Sequence, residues 1–188
     1  FFFIIGRPRS GTTLIRTLFD AHPNVCIPIE TIVIRKLYAK YGHVKNWTEK
    51  KLMSFYHEAI ELRFFNQWTA DPEKLKRDLL GLKGKTTFQN VLKCFYMNYI
   101  SFFKKEKILL IGDKTPDNTE YVFLMAKVFP EAKFIFVIRD PHSHVNSMIN
   151  SPIGSDNPIV VAHHWKRVNL IVEKFKKKYP DKIKTVYF

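Results

Sequence analysis

The chain has 188 residues, 46% hydrophobic and 15% aromatic, enough to bury one sizeable core, which excludes a disordered chain and favours a single domain. Its formal net charge of +14 predicts an anionic partner: a nucleotide, an acidic substrate, nucleic acid or a membrane surface. The longest apolar runs, Phe1 to Ile5 and Phe134 to Ile138, fall far short of the ~20 residues that cross a bilayer. Cys26 and Cys94 have neither metal nor disulfide spacing and read as buried free thiols. The sequence opens without Met in an apolar segment and closes at Thr185 to Phe188 within a strand-like run. Both ends are therefore expected to be cut, with any signal or anchor lying upstream.

Phe1 to Ile5 is an apolar run ended by Gly6, as suits a buried strand of a parallel sheet. A helix is predicted from about Thr12 to Ala21, with Leu14, Leu18 and Ala21 on one face, and it stops at His22-Pro23 because the residue before proline is pushed out of the α region. Asn24 to Glu30 reads as a loop, with a helix restarting near Thr31. The middle of the chain, about 43–105, reads as a helical insertion. Thr48 and Asp71-Pro72 look like N-caps, and Phe88, Val91, Leu92, Phe95 and Tyr99 recur at helical spacing.

Lys107 to Ile111 is predicted as a second strand, followed by GDKTPDN and a helix over about Asn118 to Phe129. Lys133 to Ile138 gives a third strand that opens into RDPHSHVNSM and a further helix. Ser151 to Pro158 reads as a loop, Pro158 to Tyr179 as a long helix and Ile183 to Phe188 as a last strand. Strands alternating with helices predict an α/β fold with a central parallel sheet. Right-handed crossovers then bring the loops after the strands to one carboxyl edge, where a site is expected.

The loop Gly6 to Thr13 has the two glycines of a phosphate-binding loop, but Thr12 stands where an ATP site has lysine. Arg9, Ser10, Gly11, Thr12 and Thr13 set successive N–H groups, three hydroxyls and a guanidinium at a helix N-terminus, a combination that binds a tetrahedral oxyanion. The bland alternative is a tight turn with Ser/Thr caps. Without the lysine that reaches β and γ phosphates, ATP is disfavoured. A sulfuryl group carries less charge than a terminal phosphate, so the charge allows a hydroxyl-rich loop with one arginine to hold a phosphosulfate without a metal. A second constellation is Arg139, at the end of KFIFVI, with Ser147 eight residues later; a planar guanidinium plus a hydroxyl suits a phosphate, the alternative being an ion pair with Asp140.

PRSGTT between a strand and a helix ending in DAHP, with FVIRDPHSHVNSM further on, resembles the sulfotransferases that use 3'-phosphoadenosine 5'-phosphosulfate. The likeness is greatest to the branch containing the protein-tyrosine sulfotransferases and bacterial relatives. It covers residues 1 to 31 and 108 to 150. It implies a P-loop-type three-layer α/β fold, a phosphosulfate held by Arg9, Ser10, Gly11, Thr12 and Thr13, and a 3'-phosphate held by Arg139 and Ser147. It further implies Glu30, in PIET, as the catalytic base and Lys114, in GDKTPDN, at the bridging oxygen, with Arg9 sharing in catalysis. No metal is required.

Sulfuryl transfer independently needs a base, cations on the developing charge and in-line reactants. The plainer readings are that Glu30 caps the next helix and Lys114 is a solvated loop lysine. One departure stands out: Ile32 occupies the position where the tyrosine-sulfating branch has an arginine for its acidic peptide. Of the seven histidines, His142, beside Arg139, is the one singled out as a candidate; His22, His144, His163 and His164 read as structural.

The leading expectation is therefore a sulfotransferase acting on a hydroxyl or amine acceptor of unidentified structure, cytoplasmic, or lumenal in the Golgi if an anchor precedes the chain. No nucleic acid partner is expected, and a homodimer is left open. The rivals are a P-loop kinase with a degenerate lysine and a domain binding nucleic acid or another polyanion through Lys174 to Lys184. That lysine cluster lacks the interleaved aromatics of a stacking surface.

Overall fold

The computed structural model describes residues 1–188. In chain order the elements are β1 (Phe2–Gly6), α1 (Thr12–Asp20), β2 (Val25–Cys26), α2 (Val33–Tyr41), β3 (Asn46–Trp47), α3 (Glu49–Ile60), α4 (Pro72–Leu80), β4 (Gly84–Lys85), α5 (Phe88–Met97), β5 (Leu110–Lys114), α6 (Val122–Val128), β6 (Lys133–Ile138), α7 (Pro141–Ile149), α8 (Pro158–Lys178) and β7 (Ile183–Tyr187). Five strands form one parallel sheet in the order β2-β5-β1-β6-β7, with helices on both faces. The central strand β1 pairs with both β5 and β6, so the loops that follow these three strands share one edge. No helix is long and apolar enough to cross a membrane.

Strand alternation divides the core. Phe3 and Ile5 face a large cluster that includes Phe134, Phe136, Val172 and Phe175, while Phe2 and Ile4 face a small one with Val25, Ile27 and Val137. The smaller face is covered by α1, and there the expected packing is reversed. Leu14 and Leu18 are 51% and 62% exposed. Polar ties on the opposite side hold the helix: the buried Asp20 accepts from Ile27 N–H at 2.9 Å and from the Ser101 hydroxyl at 2.7 Å, and Arg16 reaches the Ile27 carbonyl at 2.7 Å. Ile15 and the ring of Phe19, 5.4 Å from that of Phe2, supply the apolar contacts.

The middle of the chain carries α3, α4 and α5, as expected, together with an unforeseen antiparallel pair of two-residue strands, β3 and β4. The predicted caps form: the Thr48 hydroxyl accepts from Lys51 N–H at 3.3 Å, and Asp71 accepts from Glu73 and Lys74 N–H at 3.0 Å each, with Pro72 in the first turn. Phe88, Val91, Leu92 and Phe95 are buried on α5; Tyr99 lies past its end and is buried nonetheless.

Three boundaries differ from expectation. The stretch read as a loop from Asn24 contains β2, whose two residues pair with Leu110 and Ile111 and are too few to show periodicity. The second strand starts later and runs further than Lys107 to Ile111, because β1 pairs Phe2, Phe3 and Ile4 with Gly112, Asp113 and Lys114. The helix expected from Asn118 opens as a 3-10 turn, Pro116–Tyr121, since the Asn118 amide is engaged with the Thr31 carbonyl and Asp113 at 3.2 Å each.

Candidate active site

β1 ends at Gly6, whose φ is 151° and where an added Cβ would lie 2.4 Å from the Val137 carbonyl oxygen, so only glycine lets β1 and β6 sit this close. Its N–H donates to the Thr119 hydroxyl at 2.8 Å. Arg9 adopts the left-handed region at φ 63°, and Gly11, at φ 86°, starts α1 without a side-chain cap. The first N–H groups of α1 are thus left for an outside acceptor beside a positive helix end. The cavity in front of them, about 330 Å³, is lined by Arg9, Gly11, Thr12, Thr13, Glu30 and Arg139, among others.

The two predicted phosphate constellations meet here. Arg9 Nε donates to Ser147 Oγ at 3.1 Å and Arg139 Nη1 donates to the Arg9 carbonyl at 3.0 Å, joining the loop after β1 to α7 and the end of β6. Trp165 on α8 supports Arg139 by donating from Nε1 to its carbonyl at 3.2 Å. The aromatic ring of Phe188 lies 5.7 Å from the Arg139 guanidinium and also borders the cavity. Ser10 is placed differently from its neighbours: its side chain is buried, turned toward α7 and absent from the cavity wall.

Glu30 and Lys114 are brought together from opposite directions. Lys114 is the last residue of β5 and only 3% exposed at its side chain, so it is a buried strand residue and not a solvated loop lysine. Its ammonium donates to Glu30 Oε1 at 2.6 Å and lies 3.4 Å from Thr13 Oγ1, which places one cation between the carboxylate and the oxyanion loop. Glu30 remains 23% exposed at the cavity. Its backbone is pinned by Trp68, which donates from Nε1 to the Glu30 carbonyl at 2.8 Å. The next residue, Thr31, gives its N–H to Thr115 Oγ1 at 2.9 Å, and Val33 caps back onto the Thr31 hydroxyl at 3.2 Å. Ile32 is buried in the protein interior.

Asp113, one residue before Lys114, points to the other side of the sheet as strand alternation requires. Its carboxylate accepts from Tyr96 Oη at 2.6 Å and from the Asn118 amide at 3.2 Å, and burial pushes it up to about 6. It buttresses the Glu30 to Thr31 segment from behind through Asn118. Among the histidines, His142 is exposed and lines a groove between α7 and α8, away from the cavity. His144 is the histidine that matters to the loop: it is fully buried, with Nδ1 3.5 Å from Ser10 Oγ. Burial first, then Arg7 and Arg139 nearby, lower its imidazole to about 4. Nothing in the sequence marked Trp68 or His144 for these roles; both act across folds of the chain that spacing does not reveal.

The donors around the cavity, namely free helix N–H groups, hydroxyls of Thr12 and Thr13 and the guanidinium groups of Arg9 and Arg139, fit a ligand with two separated anionic groups. A family model described as the sulfotransferase family matches residues 2–188. Protein-tyrosine sulfotransferase 1 of Danio rerio is 30% identical over 151 residues, covering 80% of this chain and 36% of the relative. Protein-tyrosine sulfotransferase A of Caenorhabditis elegans is 29% identical over 154 residues, covering 81% of this chain and 34% of the relative. The chain thus spans about a third of the length of these curated relatives. In architecture it is similar to the sulfotransferase domain of the curacin biosynthetic pathway, with a TM-score of 0.60, 21% identity and coverage of 99% of this chain and 66% of that one. The sulfotransferase domain of the Synechococcus PCC 7002 olefin synthase also scores 0.60, at 21% identity, covering 98% and 64%. With the family model spanning the sheet, the oxyanion loop and the arginine-serine pair, the chain belongs to the sulfotransferase family.

Proposed function

We propose that the protein transfers a sulfuryl group from 3'-phosphoadenosine 5'-phosphosulfate to a hydroxyl or amine acceptor, with Glu30 as general base. The observation that carries this reading is the set of groups at one cavity and directly behind its wall: the uncapped start of α1, the buried Lys114 bridging Thr13 and Glu30, and the Arg9–Ser147 contact. In this reading the α1 N–H groups with Arg9, Thr12 and Thr13 hold the phosphosulfate end, and Arg139 and Ser147 the 3'-phosphate; Gly11 provides the close approach, and the donor supplies the activated sulfuryl group. Glu30 accepts the proton from the acceptor atom. Lys114 places positive charge where the leaving oxygen develops negative charge, and its burial keeps that charge from being dissipated by water. The turning of Asp113 into the interior, where Tyr96 and Asn118 use its oxygens, favours this reading over a kinase in which a strand-end acid faces the nucleotide.

Acidic peptides are a weaker fit as acceptors, because the residue two beyond Glu30 is the buried Ile32 and offers no cation. We place the activity in the cytoplasm, or in the Golgi lumen if an anchor precedes residue 1.

Calorimetric titration with adenosine 3',5'-bisphosphate tests the site, and transfer from the labelled donor to a panel of hydroxyl and amine acceptors tests the chemistry. Arg139→Ala should weaken bisphosphate binding by about 1.5 to 3 kcal/mol, the worth of hydrogen bonds to a charged group. Glu30→Gln should leave that binding intact and abolish transfer. Absence of bisphosphate binding by the unaltered chain overturns the proposal; the reverse pattern in the two variants would exchange the roles of the residues.

A further inference from the structure

Outside the groups already assigned, the most unusual polar side chain is His144. It sits in the second turn of α7, three residues before Ser147, and is fully buried behind the loop after β1. One ring nitrogen, Nε2, has no partner, while Nδ1 lies 3.5 Å from Ser10 Oγ, at the long end of hydrogen-bonding distance. A neutral imidazole carries one proton, and the surroundings decide where it goes. A proton on Nε2 would bury an N–H donor with no acceptor, whereas a proton on Nδ1 has Ser10 Oγ to receive it and leaves only a lone pair unmatched, the lesser penalty. His144 therefore donates to Ser10.

Ser10 is itself buried, and its N–H is bound to the Arg7 carbonyl at 3.3 Å, closing the turn that forces Arg9 into its left-handed conformation. Beside it, Arg9 Nε donates to Ser147. Two adjacent loop residues are thus fastened to two residues one helical turn apart on α7, Ser10 to His144 and Arg9 to Ser147. We propose that His144 is a positioning residue that holds Ser10, and through it the oxyanion loop, in the conformation that receives the 5' end of the nucleotide. This rests on the reading of that loop as the 5' oxyanion site. His144 touches no ligand in this scheme. Neutrality of the imidazole, favoured first by its burial and then by the adjacent Arg7 and Arg139, keeps a third positive charge out of the interior.

The test uses adenosine 5'-phosphate, adenosine 3'-phosphate and the 3',5'-bisphosphate as calorimetric probes. His144→Leu should weaken binding of the 5'-phosphate and the bisphosphate by about 3- to 10-fold, the effect of one neutral hydrogen bond. Affinity for the 3'-phosphate should stay within about twofold, since Arg139 is also held by Trp165 on α8 and makes no contact with the Ser10 side chain. Ser10→Ala should give the same loss, and the double variant no more than either alone, because both break one link. His144→Asn, whose amide nitrogen falls near the place of Nδ1, should restore most of the affinity. If the unaltered protein binds none of the probes, the oxyanion-loop reading itself fails, and this proposal with it. If it binds them but His144→Leu is silent, affects both monophosphates equally, or adds fully to Ser10→Ala, the positioning role alone is refuted.

Discussion

Two buried groups should respond to acid in opposite directions, and their opposition can be separated experimentally. The His144 imidazole, surrounded by protein and facing Arg7 and Arg139, stays neutral down to about 4, whereas in the unfolded chain it titrates near 6.5. As pH falls from 6.5 to 4 the unfolded chain takes up a proton that the folded chain refuses, so this lowered group removes about 3 kcal/mol of stability across that window. Asp113 has the reverse sign. Its folded value is raised to about 6 by burial, against 3.8 when unfolded, so the folded chain protonates first and gains about 3 kcal/mol as pH falls from 6 toward 4. The two trends nearly cancel in the unaltered protein.

Urea unfolding, followed by fluorescence of the three tryptophans at pH values from 7.5 to 4, resolves them in His144→Asn and Asp113→Asn. The fixed cost of each substitution is the same at every pH; the informative quantity is how the stability difference from the unaltered protein changes. For His144→Asn, the advantage of the unaltered protein should shrink by about 3 kcal/mol on acidification. For Asp113→Asn it should grow by a similar amount. Other carboxylates titrate in all three proteins and drop out of the differences. Differences that stay flat from pH 7 to 4 would refute the claim that burial shifts both groups toward their neutral forms.

Trp68→Phe leaves the Glu30 carbonyl without its donor, so it should cost about 1 to 3 kcal/mol in urea unfolding. The same variant should slow turnover of the donor while leaving bisphosphate affinity unchanged, because the 3'-phosphate and loop contacts do not involve this residue. Leu18→Glu, by contrast, should change stability by less than about 0.5 kcal/mol, since the side chain it replaces faces solvent; a loss of several kcal/mol would mean that α1 packs through its leucines after all.

The strands that carry the site were legible because each contains a short apolar run followed by a residue of distinctive chemistry: Gly6 and Arg139 stand just after such an end, and Lys114 three residues past Ile111. What composition and spacing missed is the side on which each residue falls. Asp113 and Lys114 are neighbours in sequence, and only the pairing of β5 with β1 reveals that the strand continues through both and turns the acid to the core and the cation toward Glu30 and Thr13. In α1, the apolar spacing of Leu14 and Leu18 is a genuine helix signal, but the face buried is the one that Asp20 and Arg16 secure with hydrogen bonds, a preference invisible to a count of apolar residues. His142 and His144 differ in the same way: both follow Arg139 in sequence, and a helical turn of about 100° per residue sends one outward and the other behind the loop.

The region from β3 to α5 also changes meaning once the contacts are known. In sequence it reads as an insertion between two halves of an α/β sheet, yet Trp68 fastens Glu30 and Tyr96 fastens Asp113, whose neighbour is Lys114. Both members of the Glu30–Lys114 pair are therefore supported by residues of the helical segment, while Arg9, Arg139 and Ser147 are held by β1, β6, α7 and α8. In the proposed scheme, nucleotide binding and proton transfer would rest on separate scaffolds that meet at Thr13. Substitutions in the helical segment should for that reason impair transfer before they impair bisphosphate binding, and substitutions along α7 should do the opposite.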